Sequence, residues 1–97
     1  MKINTTQTVK NLKGQPYEAE EGPLTVGEAI AAVLANDDST GKMKLYVLAK
    51  KFIDEEEVDL DSADLSLVKQ AVERSKTYSG NNIVLGSLLV LLDGGSI

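Results

Sequence analysis

A helix start at Thr25 constrains this sequence more than any other feature. Thr25 and Glu28 form a T-x-x-E capping box, which satisfies amides left without partners at a helix start. Apolar residues succeed it at helical spacing, Val26, Ala29, Ile30, Val33 and Leu34, so one face of this segment has to be covered by the rest of the chain. The helix should stop at Asn36-Asp37-Asp38, whose short polar side chains compete for the backbone and suit the N-cap of the next helix. The 97 residues, 42% of them hydrophobic, supply enough apolar material for one core and too little for two. One domain over 1–97 is expected, with a hairpin or extended arm over 1–22 and a helical core over 23–97.

A second helix is read from about Thr40 to Ile53. Leu45, Leu48, Ala49 and Phe52 lie on one side, and Lys42, Lys44, Lys50 and Lys51 mostly outside. The acids Asp54-Glu55-Glu56-Glu57 oppose the negative end of a helix dipole, which places them at or beyond its end, leading into an extended Val58–Leu60. Asp61 then caps a third helix, Asp64 adds charge to its first turn, and Leu60 with Leu65 forms a hydrophobic staple. Leu65, Val68, Ala71 and Val72 carry its stripe to about Ser75, before a polar turn through Tyr78, Ser79 and Gly80. The last element, Asn82 to Asp93, is apolar on every side, and periodicity alone does not separate a buried helix from a buried strand. Its length and the Gly94-Gly95 stop favour a helix, in which Gly86 points to a close crossing with another backbone.

Ahead of the capping box the chain has no helical stripe. Lys13-Gly14 offers turn chemistry between Thr8–Leu12 and Gln15–Glu18, and Pro16, which donates no ladder hydrogen bond, keeps the second arm at an edge. The resulting fold class is mainly α (α+β), a short N-terminal β-hairpin or extended arm followed by about four short helices.

Composition narrows the chemistry. There is no cysteine and no histidine, which removes disulfides, thiolate metal sites, cysteine nucleophiles and the commonest general base. Ten basic against fifteen acidic residues give a net charge of −5, which disfavours generic nucleic-acid binding. No signal-peptide pattern comes after Met1, and the apolar run Ile83–Leu92 is about half the ~20 residues of a membrane span, so a cytoplasmic protein is expected. The sequon Asn4-Thr5-Thr6 is a chance match without a secretory signal.

Four motif fragments are tested and set aside. Asp59-x-Asp61 begins like a calcium loop, yet the pattern fails at Ala63, Asp64 and Gln70. Ser39-Thr40-Gly41-Lys42 resembles the end of a phosphate loop but lacks the leading glycine and the hydroxyl after the lysine. The S-x-x-K spacing occurs at Ser39–Lys42 and Ser66–Lys69 with no second constellation to orient a base. Asp54–Glu57 reads as a solvated edge, since acid–base work needs one carboxylate desolvated beside a pocket. No cofactor or metal ligand set is assigned.

Read end to end, the segments LKGQPYE, LTVGEAIAAVL, KLYVLAKKF, EVDLDSADLSLVKQAV and IVLGSLLVLLD resemble, in order and pattern, small, mostly uncharacterised accessory proteins encoded by tailed bacteriophages and prophages. The resemblance implies a bacterial-host cytoplasm and a viral accessory role, and transfers no functional residue. The expected function is a non-enzymatic protein–protein interaction protein that assists virion assembly or binds a host protein. Asp54, Glu55, Glu56, Glu57, Lys42, Lys44, Lys50 and Lys51 would be its polar contacts. The alternative is a nucleic-acid-binding regulator using the Lys42/Lys44/Lys50/Lys51 face. A homo-oligomer through Ile83, Gly86 and Val90 is expected if the last helix does not fill the centre of the domain.

Overall fold

The computed structural model describes residues 1–39, 41–95 and 97. Along the chain run β1 (Lys2–Asn4), β2 (Glu18–Ala19), β3 (Gly22–Pro23), α1 (Val26–Ala35), α2 (Lys42–Asp54), β4 (Glu57–Asp59), α3 (Ser62–Glu73) and α4 (Asn82–Leu92). Four helices with short antiparallel strand pairs make the mainly helical α+β fold that the stripes and caps imply.

Helix starts obey local chemistry. The Thr25 hydroxyl accepts from the Glu28 amide at 3.2 Å, and the Glu28 carboxylate lies 3.0 Å from the same hydroxyl. Asp61 accepts from the Asp64 amide at 2.7 Å, and Asn81 does the same for Val84 at 3.2 Å. Helix α2 differs: it begins from Gly41 in the left-handed region with no side-chain cap, and the expected start at Thr40 lies outside the described residues. At the end of α4 the Gly94 amide donates to Leu91 and the Gly95 amide to Val90, with Gly94 at φ 91°, which closes the helix where the glycine pair predicts a stop.

The arm combines a rudimentary form of the expected hairpin with longer-range pairing. Around the turn at Gly14 the Asn11 amide donates to the Gln15 carbonyl and the Tyr17 amide to the Val9 carbonyl, both at 2.8 Å, on either side of a Lys10–Pro16 bridge, but the named strands lie elsewhere. Strand β1 pairs instead with β4, with Ile3 opposite Val58, and β2 pairs with β3. In β1 and in β4 one buried apolar residue sits between two exposed ones. Pairing the two strands sends Ile3 and Val58 into the core from one face while Lys2, Asn4, Glu57 and Asp59 stay outside. The stretch after the acidic run is therefore Glu57–Asp59 rather than Val58–Leu60, and Asp54 is the last residue of α2.

Helix α1 occupies the centre and touches all three other helices. Its Val26, Gly27, Ala29, Ile30, Ala31, Val33 and Leu34 are all buried. A Cβ at Gly27 would stand 2.5 Å from the Phe52 carbonyl oxygen and 2.8 Å from the Thr5 Cβ, so the close crossing is here. At Gly86, where the sequence predicts a crossing, a Cβ would meet no atom within 4 Å. Ile3 and Val9 of the arm join Leu48, Phe52, Val68, Val72, Val84, Leu88 and Leu92 in one continuous apolar cluster. The arm is thus part of the core and not a layer beside it.

Among the described residues, no helix is long and apolar enough to cross a membrane.

Candidate interaction surface

The acidic run is anchored through its backbone and exposed at its side chains. Buried Thr5 donates its amide to the Glu56 carbonyl at 2.9 Å and its hydroxyl to the Glu55 carbonyl. The carboxylates of Asp54, Glu55, Glu56 and Glu57 all lie on exposed residues. Asp54 pairs with Lys50 one turn back at 3.1 Å, and Glu57 reaches Lys2 at 3.9 Å. This is a solvated edge fixed from beneath.

The lysines of α2 divide into two pairs. Lys44 bridges to Asp64 of α3 at 3.0 Å, and Lys50 is held by Asp54, which raises its ammonium above the ordinary lysine value with a smaller contribution from Tyr46. Lys42 and Lys51 have no ion pair among the described residues. Two of the four lysines of the expected basic face are therefore already paired with carboxylates.

The motif fragments also resolve into structural roles. Asp61 caps α3, and Lys69 is drawn to Asp93 at 2.6 Å while Ser66 faces Gln70. The Ser39 hydroxyl accepts from Arg74, and Thr40 of that fragment lies outside the described residues.

Two further features involve residues outside the sequence-predicted site. The first is an ion pair between Asp37, whose side chain is 2% exposed, and Arg74, the chain's single arginine, at 2.9 Å. Burial pushes the Asp37 carboxyl up, but hydrogen bonds from the Ser39 amide and hydroxyl, together with Arg74, outweigh it and hold the group below its ordinary value. Beside it Lys76 meets Asp38 at 2.6 Å, so the α1–α2 connection is clamped to the end of α3. Partners 37 positions apart leave no local signal in a sequence.

The second is a band of apolar side chains on the outside of α2. Met43 is 82% exposed, Tyr46 65% and Ile53 59%, and Val47 is also open to solvent. Met43, Tyr46 and Ile53 form a stripe along the flank of α2 next to Ala49, with Val47 farther round, so α2 carries an exposed apolar stripe beside the one that Leu45, Leu48, Ala49 and Phe52 bury. The signal is present in the spacing 43, 46, 47, 53, interleaved with lysines that make the same face look merely charged. Alongside the band, α1 and α2 flank a shallow groove of about 480 Å³ floored by Ala31, Ala32, Ala35 and Ala49 and edged by Tyr46 and Ile53, with Glu28 and Lys50 also on its lining. The alanines leave the groove open because they are too short to fill the space between the two helices.

Helix α4, expected to be the interface, is less open. Val84, Leu88 and Leu92 are buried, Ile83 and Gly86 are half-buried, and Val90 is 50% exposed. The sequence-predicted α4 residues and the α2 residues belong to separate helices, and α2 exposes the larger apolar surface.

Comparison with protein-family models, with curated proteins and with solved structures finds no match.

Proposed function

We propose that this protein is a phage-encoded, non-enzymatic protein–protein interaction protein of the bacterial cytoplasm, assisting virion assembly or binding a host protein. The observation that carries the interaction reading is the exposed band Met43, Tyr46, Val47 and Ile53 beside the alanine-lined groove. A contiguous apolar surface rimmed by charge is the usual form of a protein contact site, because covering it removes apolar area from water. Lys42 and Lys51, on opposite sides of α2, and Glu55 and Glu56 beyond the helix end supply a polar rim. The phage assignment rests on the segment pattern from LKGQPYE to IVLGSLLVLLD.

The nucleic-acid reading is the weaker of the two. It would use a helix face on which two of four lysines are already paired, within a chain of net charge −5.

The test is capture from phage-infected bacterial lysate with three folded baits: wild type, Met43→Asp/Ile53→Asp, and Glu21→Lys as a remote control. Proteins retained by wild type and the control, and lost by the double variant, are expected. Identical retention by all three would overturn α2 as the contact surface.

A further inference from the structure

The α2 face has a symmetry that specifies its partner. Lys42 and Asp54 are equidistant from Leu48 along the helix, as are Met43 and Ile53, and Tyr46 and Lys50. A helix face whose chemistry is matched about its own midpoint is self-complementary under a two-fold axis, where residue i meets residue j and j meets i. We infer that the outer face of α2 is the interface of a homodimer in which two α2 helices pack antiparallel about Leu48. This inference rests on reading that face as an interaction surface, and it names the occupant as a second copy of this chain.

Each level of the antiparallel pair has a physical rationale. At about 9 Å on either side of the axis, six residues at helical rise, the basic start of one α2 stands at the level of the partner's acidic end. Lys42 has no ion pair among the described residues, and Glu55 and Glu56, just past Asp54, have none either. Opposite charge is thus available at both ends, and a parallel arrangement would set lysine against lysine and acid against acid. One residue inward, Met43 meets Ile53, an apolar pair that is exposed in the isolated chain. Nearest the axis, the Tyr46 ring meets the partner's Lys50, whose charged ammonium, steadied by Asp54 in its own chain, can lie over an aromatic face. Ala31, Ala32 and Ala35 of α1 leave the space into which the partner's larger side chains fit.

The experiment is sedimentation equilibrium of the full chain at micromolar concentrations, with Lys42→Glu, Asp54→Lys and an equimolar mixture of the two. Both substitutions place the new charge where the α2 dipole favours it, which offsets the loss of the exposed Lys50–Asp54 pair in Asp54→Lys, and circular dichroism checks that both variants keep the helix. Wild type is expected to dimerise. Each variant alone sets like charges at both ends and should weaken dimerisation about tenfold or more. The mixture should restore it, because a Lys42→Glu chain and an Asp54→Lys chain regain opposite charges at both ends.

A wild type that sediments only as a monomer overturns the second copy as occupant. A wild-type dimer whose variants are not rescued by mixing overturns the antiparallel register. A dimer broken by Val90→Asp and indifferent to the α2 variants moves the interface to α4. If the chain is monomeric while Met43→Asp/Ile53→Asp still abolishes lysate capture, the dimer fails and the interaction reading stands. If capture is also unchanged, both fail.

Discussion

Two helices here are apolar almost all the way round, α1 and α4, yet only α1 sits in the middle. The difference is side-chain size. Helix α1 carries Gly27, Ala29, Ala31 and Ala32, so other backbones approach it closely from several directions, and the arm and the end of α2 come within contact distance at Gly27. Helix α4 carries Leu85, Leu88, Leu89, Leu91 and Leu92, which need depth on every side. A chain of this size provides that depth on one side only, so Leu88 and Leu92 are buried while Leu85, Leu89 and Leu91 are only half covered. Apolarity decides that a helix must be covered; side-chain bulk decides how closely.

The sharpest way to break this comparison is to give α1 one extra methyl. Gly27→Ala forces its Cβ against the Phe52 carbonyl and the Thr5 side chain, and Thr5 cannot retreat without disturbing the hydrogen bond that its carbonyl accepts from the Gly27 amide. A loss of about 3 kcal/mol or more is expected in urea denaturation. A loss under about 1 kcal/mol would show that the crossing relaxes and that smallness at Gly27 is not what centres α1.

Within α4 the comparison predicts two unlike sides. Leu88→Ala removes a fully buried side chain beside Val84 and Leu92 and should cost roughly 2–3 kcal/mol. Val90→Asp changes a half-exposed position and should cost less than about 1 kcal/mol in the isolated chain. Similar losses at both positions, measured by thermal or urea unfolding, would mean that α4 is enclosed more completely than its exposure indicates.

How far the sequence foretells these outcomes depends on the range of the interaction. The starts of α1 and α3 are legible because a cap acts within four residues, as at Thr25 and Asp61. The stop at Gly94 is legible for the same reason. The partner of β1 is not, since the choice between a local hairpin and Val58 depends on where α1, α2 and α3 leave an edge for Ile3. Gly86 misleads because a glycine in a helix marks either a close approach or nothing, and only the surroundings distinguish them. The second stripe of α2 is readable from Met43, Tyr46, Val47 and Ile53, but a stripe does not say which of two apolar faces turns inward.

The join between α1 and the α3–α4 half should titrate. Asp37→Asn leaves Arg74 facing an amide, and because Arg74 is partly exposed and can be hydrated the cost should be about 1–2 kcal/mol. The Asp37 carboxyl lies below its ordinary value of 3.8 in the folded chain, so folding favours its charged form. Its contribution is fully present above about pH 3.8 and is lost as the pH falls through the folded value. The acid limb of stability should accordingly be shallower in Asp37→Asn than in wild type. Equal slopes would show that the clamp between the α1–α2 connection and α3 contributes nothing through charge.

The smallest expected effect is a gain, and it tests the same contrast from the side of α4. Gly86 has helical neighbours on both sides and open space where a Cβ would stand, so Gly86→Ala adds a residue that loses less backbone freedom on folding and meets no obstruction. An increase in stability of about 0.5–1 kcal/mol is expected, opposite in sign to Gly27→Ala although the chemical change is identical. The measurement should be made at two protein concentrations. A gain that is independent of concentration agrees with a glycine that no other backbone approaches. A loss that appears only at the higher concentration would mean that a second chain packs against Gly86, and it would return the interface between copies to Ile83, Gly86 and Val90.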